Sequence, residues 1–251
     1  MPPTKKYLEK IYREMNRPEY IHPDPLEFVW RYGSAADREV AGLIAACLAY
    51  GNVNQILRSV EKVLSPMGTS PAAWIKNTPQ AAIRKALAGF KHRFTTGEEM
   101  AVFLLNIKEA LASRGSLEKL FLEGYRPEEP NVEEALYRFI NAFNRKACAP
   151  TLTPCPEHKS SFKRVNLFLR WMVRKDAVDP GVWTGVPTSK LIIPLDTHMR
   201  QVSMRMGITS RKDTSMKTAA EITAFFAGLE PADPVKYDFA LTRAGIRGNN
   251  V

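Results

Sequence analysis

"KLIIPLDTHMRQVSMRMGI", residues 190–208, runs five apolar or proline positions straight into Asp196-Thr197-His198 and then turns polar on a helical period. An aspartate at that junction reads as an N-cap, because its carboxylate accepts from the free N–H groups of a first turn and complements the positive end of the helix dipole. Met199, Val202 and Met206 then share one face at helical spacing. That role does not exclude a second use for the carboxylate, and the rest of the chain decides it.

Outward from this stretch the chain reads as helix nearly throughout. Segments such as "TKKYLEKIYREM" (4–15), "SAADREVAGLIAACLAYG" (34–51) and "TTGEEMAVFLLNIKEALASRG" (95–115) open on Ser or Thr, and two of them close on Gly. Ile56, Leu57, Val60, Val63 and Leu64 form one apolar stripe after Asn52. Pro71 and Pro79 are read at first helical positions, where a missing N–H costs nothing. No convincing alternating strand is present, and "KLIIPL" is too short to count as one. The clearest break is the proline-rich "ACAPTLTPCPEHKSS" (147–161). The expected class is all-α.

The 251 residues carry a formal charge of +10, with 45% hydrophobic and 25% charged residues. That is the balance of a folded chain long enough for one large domain or two lobes. The excess of cations favours polyanionic partners, nucleic acid being the commonest. No run reaches the roughly 18 apolar residues of a bilayer span, and the basic N-terminus lacks the apolar core of a secretory signal. Three cysteines, Cys47, Cys148 and Cys155, lack the pairing of a metal site. The expectation is therefore a cytoplasmic protein with reduced thiols and no membrane partner.

The helix "SFKRVNLFLRWMVRKD" (161–176) buries Phe162, Val165, Phe168, Leu169, Met172 and Val173 on one face, and sets Lys163, Arg170 and Arg174 along another, with Arg164 and Lys175 beside them. A row of cations is read as a solvated or phosphate-facing surface. Lys163 stands at the helix start, where dipole grounds disfavour a cation. A lysine amine is also a nucleophile when desolvation or nearby positive charge leaves it uncharged. A carboxylate within reach would take a proton or steady a cationic sugar, and Asp196 begins the next recognisable helix.

On these residues the chain resembles the helix-hairpin-helix DNA glycosylases, whose signature is an apolar run into Asp-Thr-His or Asp-X-His, then a helix ending near Arg-X-Gly. The resemblance makes Asp196 the catalytic aspartate. In the endonuclease III branch the lysine lies about 18 positions earlier, which here is Val178; in the archaeal 8-oxoguanine glycosylase branch the interval is about 32, close to that between Lys163 and Asp196. Typical members carry glycines in the hairpin before the lysine, whereas "CPEHKSSFK" (155–163) has none. No cysteine follows Cys155, so the four-cysteine iron–sulfur loop of endonuclease III is not expected. Nearly the full length also resembles a bacterial family of unknown function, through "FKRVNLFLRWMVRKD", "LIIPLDTH" and "DPVKYDFAL".

The resemblance implies a two-lobed helical fold with a cleft, a central lobe of 36–176 and a second built from 1–35 with 177–251. It implies a monomeric glycosylase with β-elimination (AP lyase) activity, acting without a cofactor on double-stranded DNA that carries a damaged base such as 8-oxoguanine. The target base must be flipped, since its glycosidic bond is out of reach in the stack. Lys163 is then the nucleophile and Asp196 its partner. Lys159, Ser160, Ser161, Arg164, Arg170, Arg174 and His198 are expected to contact DNA. Asn52, in "LAYGNVNQI", matches the segment whose polar residue enters the duplex, although a helix N-cap is the commoner role. Trp171 and Trp183 are candidates for walls of a base pocket, and equally for core. A silent DNA- or RNA-binding member of the fold and a helical adaptor are the competing readings.

Overall fold

A computed structural model describes residues 2–154 and 161–246. The described chain is predominantly helical, as expected: α1 Lys5–Met15, α2 Glu27–Trp30, α3 Ala35–Cys47, α4 Val53–Leu64, α5 Pro71–Asn77, α6 Gln80–Ala86, α7 Gly97–Arg114, α8 Leu117–Gly124, α9 Glu133–Phe143, α10 Lys163–Val173, α11 Thr197–Arg205, α12 Met216–Leu229 and α13 Asp238–Ile246. Side chains of Thr4, Ser34, Asn52, Ser70, Thr96, Ser116, Asp196 and Ser215 each accept an N–H of the first turn that follows them, the commonest way to satisfy those otherwise unpaired donors. Pro71 opens α5 as read, but Pro79 is the N-cap of α6 rather than its first residue. A two-stranded hairpin escapes the sequence reading: β1 (Lys91–His92) pairs antiparallel with β2 (Thr95–Thr96). Two-residue strands leave no alternation to detect.

The chain divides into two compact units. One comprises 22–129 with 133–158 and holds α2 to α9 and the hairpin. Its organiser is α3, buried along most of its length. Asp37 accepts from Ser34 and Ser70 hydroxyls and from the Ala72 N–H at 3.0 Å, and so caps α5 while holding the Ser34 hydroxyl that caps its own helix. Glu39 accepts from the N–H groups of Leu117 (3.2 Å) and Glu118 (3.0 Å), capping α8. Two buried acids on a mostly apolar helix are thus each spent on the N-terminus of a packed neighbour.

The other unit comprises 1–21, 130–132 and 159–251, and holds α1 and α10 to α13. The division groups α10 with the C-terminal helices and residues 22–35 with the other unit. Here the opening stretch finds its explanation. Leu191, Ile192, Ile193 and Leu195 are each at most 2% exposed, and the Ile193 N–H donates to Thr223 Oγ1 of α12 at 3.0 Å. Burying such side chains is worth about 1.5–3 kcal/mol each, which pins an extended segment inside the unit and fixes where Asp196 emerges. Helix α11 then buries Met199 and Val202. Beyond its last residue, Arg205, Gly207 (φ +65) supplies the left-handed backbone that lets Ile208 N–H return to Ser203 C=O at 2.8 Å.

Candidate functional site

Lys163 is the first residue of α10 and Asp196 the N-cap of α11. Lys163 Nζ stands 3.7 Å from Asp196 Oδ2, with the two side chains 29% and 31% exposed. That is ion-pair range but longer than a hydrogen bond. Asp196 Oδ1 meanwhile accepts the Met199 N–H at 2.8 Å. One oxygen caps the helix and the other faces the amine. The preceding residue, Phe162, adopts φ 47, ψ 32 and is 1% exposed, a left-handed conformation that is an outlier for a bulky residue. Its carbonyl accepts the Asn166 N–H at 2.8 Å, and Asn166 Nδ2 donates to the Ser161 carbonyl at 3.0 Å. The sharp entry to α10 is held by its own first turn.

Behind this pair lies a buried charge cluster. Arg170 (4% exposed) pairs with Asp238 of α13 and with Asp179 at 3.2 Å. Arg174 (2% exposed) pairs with Asp179, with Asp233 at 2.9 Å and with Asp176 at 3.0 Å. The segment after α10 folds back to make this possible. Asp176 Oδ1 accepts the N–H groups of Val178 and Asp179 at 2.8 Å. Gly181 and Trp183 donate to the terminal carbonyls of Trp171 and Met172 at 3.1 and 2.7 Å. Tyr12 OH, from α1, donates to Asp176 Oδ2 at 2.9 Å.

Burial drives the titration of this cluster. It pushes the Asp238 carboxyl up to about 6, against the pull of Arg170 and with a further upward push from the charge of Asp196. Asp179 and Asp233 are likewise raised by burial, despite their arginines. Burial also acts on Asp176, but Arg174 and the two backbone donors outweigh it and hold that group below the usual range. Burial opposes the Arg174 charge too, and three surrounding aspartates more than offset it. Asp238 is therefore a second carboxyl in electrostatic contact with the site.

The remaining expected site residues fall differently. Arg170 and Arg174 do not face phosphates: they are internal cations, because four aspartates converge on the inward side of α10. Trp171 is fully buried, its Nε1 without a partner among the described residues, and Trp183 is 3% exposed, edge-on to Phe168 at 5.3 Å. Both are core, not open pocket walls. Ser161 is buried at 7%, not displayed to a ligand. Arg164 is half-buried and His198 exposed. Asn52 is exposed and caps α4, accepting the Asn54 N–H at 3.0 Å. Lys159, Ser160 and Cys155 lie outside the described residues. Of the residues that sequence reasoning missed, Asp238 had a signal in "DPVKYDFAL", an acid at a helix start.

Among the described residues, no group of three or more His, Cys, Asp and Glu stands arranged to hold a metal ion, and no helix is long and apolar enough to cross a membrane. A family model described as "Protein of unknown function (DUF2400)" matches residues 24–247. No curated protein and no solved structure matches the chain.

Proposed function

We propose, for a chain that belongs to the DUF2400 family, that it is a DNA glycosylase with β-elimination activity, working through Lys163 and Asp196. The observation that carries this reading is the 3.7 Å approach of the Lys163 amine to the Asp196 carboxylate across 33 positions of sequence, with both groups about one-third exposed. Amine and carboxylate side by side, reachable from solvent, suit attack on an electrophilic carbon followed by proton transfer.

The uncharged Lys163 amine adds to C1′ of a flipped nucleotide. The C1′–N bond breaks, its electron pair leaves with the base, and the base takes up a proton. Asp196 Oδ2 steadies the positive charge that develops on the sugar and receives the proton shed by the attacking nitrogen. The nitrogen lone pair then expels O4′, which takes the proton held by Asp196, giving a protonated C1′=N imine on Lys163. Loss of a C2′ proton drives out the 3′ phosphate and nicks the strand, and water hydrolyses the imine to restore the amine. Because Asp196 Oδ1 is held by the Met199 N–H, the carboxylate is oriented before substrate arrives, which lowers the entropic part of the barrier. An oxidised purine such as 8-oxoguanine is the substrate proposed, on the lysine–aspartate interval alone.

The test is incubation with oligonucleotides bearing 8-oxoguanine, other lesions or an abasic site, in the presence of borohydride. The reading expects a covalent protein–DNA adduct that is absent from Lys163→Gln. Base release without an adduct would reassign the enzyme as monofunctional. Salt-sensitive binding without either would favour a silent DNA- or RNA-reading member of the fold.

A further inference from the structure

The hairpin tip at Arg93-Phe94 is built against ordinary preference. β1 and β2 pair Lys91 with Thr96 and His92 with Thr95, leaving Arg93 and Phe94 as a two-residue turn. Such turns favour Asn-Gly or Gly at the left-handed position. Here Arg93 takes φ +52, and Phe94 is 74% exposed, the most exposed of the large hydrophobic side chains. A non-glycine residue in this region is strained, and such strain gathers at functional positions.

The base of the hairpin is rigid. His92 is 2% exposed, its ring nitrogens 2.9 Å from Ser59 Oγ of α4 and 3.0 Å from the Tyr50 carbonyl. Tyr50 OH returns a bond to the His92 carbonyl at 3.0 Å, and Thr95 Oγ1 meets Thr151 Oγ1 at 2.6 Å. Arg93 lies over Gly51 (φ +100) so closely that a Cβ there would come within 2.8 Å of its Cδ. The Arg93 guanidinium sits 5.5 Å from the Phe94 ring centroid, within cation–π range. A firmly anchored turn thus displays one aromatic ring and its cation to solvent.

Its surroundings are positive. Lys91 and Arg93 are exposed, as are Arg58 and Lys62 one turn apart on α4. Lys62 Nζ reaches the Gly89 carbonyl at the hairpin entrance, 3.4 Å away. Among the described residues none of these four cations has a carboxylate partner, so their charge remains available. An exposed ring amid uncompensated cations is the combination that holds single-stranded nucleic acid, the ring stacking on a base and the cations tracking phosphates.

We propose that the Arg93-Phe94 turn stacks on an unpaired base of a DNA strand whose phosphates contact Arg58, Lys62 and Lys91. The choice of DNA rests on the function proposed above; the stacking contact does not. The test measures binding of the full chain to a single-stranded DNA oligonucleotide containing 2-aminopurine, whose emission reports stacking, across a series of salt concentrations. Wild type should change the emission. Phe94→Ala should abolish that change and weaken binding about tenfold with the salt slope unchanged, and Phe94→Trp should restore both. Lys91→Ala should instead lower the slope of log K against log salt by about 0.7. Wild-type binding by Phe94→Ala, or an unchanged emission with wild type, overturns the proposal. Tighter binding of an RNA strand of the same sequence overturns the choice of DNA. The signal is also read with Asp196→Asn: stacking that persists there, in a protein whose wild type gives no borohydride adduct, supports this contact while removing the lyase reading.

Discussion

At the scale of single residues, Asp196 is asked to cap a helix and to face an amine, and it divides these roles between its two oxygens. The division makes them separable. Asparagine is as good an N-cap as aspartate, so Asp196→Asn should keep the Met199 N–H bond while deleting the charge opposite Lys163. We expect urea unfolding to shift by less than about 1 kcal/mol while single-turnover base release falls by roughly 10²-fold or more. A large loss of stability with activity retained would mean that the carboxylate serves structure alone. Phe162 marks the other side of the site: glycine usually supplies left-handed backbone, and here a buried ring supplies it without any glycine in "CPEHKSSFK". The sequence shows that glycine is absent; only the backbone reveals that Phe162 itself is left-handed.

At the scale of elements, α10 links the site to the interior. Its N-terminal lysine faces Asp196, and its later arginines are held by Asp176, Asp179, Asp233 and Asp238. Removing one member of a buried ion pair strands the others, at a cost of about 3–5 kcal/mol. Arg170→Met should therefore lower unfolding free energy by roughly that amount, measured by urea denaturation; a shift within 1 kcal/mol would place that arginine in solvent. The cluster also predicts a pH dependence. Asp238 holds its proton more tightly folded than unfolded, about 6 against 3.8, so folding takes up a proton between those values. That share of stability is fully present below about pH 4 and is lost as pH rises through 6. Asp179 and Asp233 act in the same direction, while Asp176 acts oppositely, losing its share as pH falls below its ordinary range. Urea midpoints from pH 4.5 to 7 should fall less steeply in Asp238→Asn than in wild type, and an identical slope would refute the assignment. In the other unit, Glu39→Ala leaves the buried Leu117 N–H unpaired at the start of α8 and should cost about 1–3 kcal/mol in the same assay.

For the whole molecule, most helices were legible because the signals that start them are local: a hydroxyl or carboxylate, then an apolar period. What was hidden depends on partners far along the chain. Arg170 and Arg174 look like a surface stripe because the aspartates that bury them lie as many as 68 and 59 residues away, on elements whose approach no local pattern encodes. Trp171 and Trp183 were ambiguous for the same reason, since large aromatic rings suit a core and a pocket equally. The Lys163–Asp196 pair was legible only through an interval within a motif, and Phe94 was hidden because an isolated phenylalanine reads as core. The buried cluster sets two arginines among four aspartates, so it takes none of the +10 excess, and the surface cations include the group around the hairpin that lacks carboxylate partners among the described residues.

The proposed lyase chemistry requires the Lys163 amine to form a covalent bond to a sugar carbon. Borohydride trapping on abasic-site and 8-oxoguanine DNA, followed by mass spectrometry of the digested adduct, tests it directly. Wild type should carry a reduced sugar on Lys163, and Lys163→Gln should give no adduct. An adduct on another residue, or none on any lesion when DNA is bound, would contradict it.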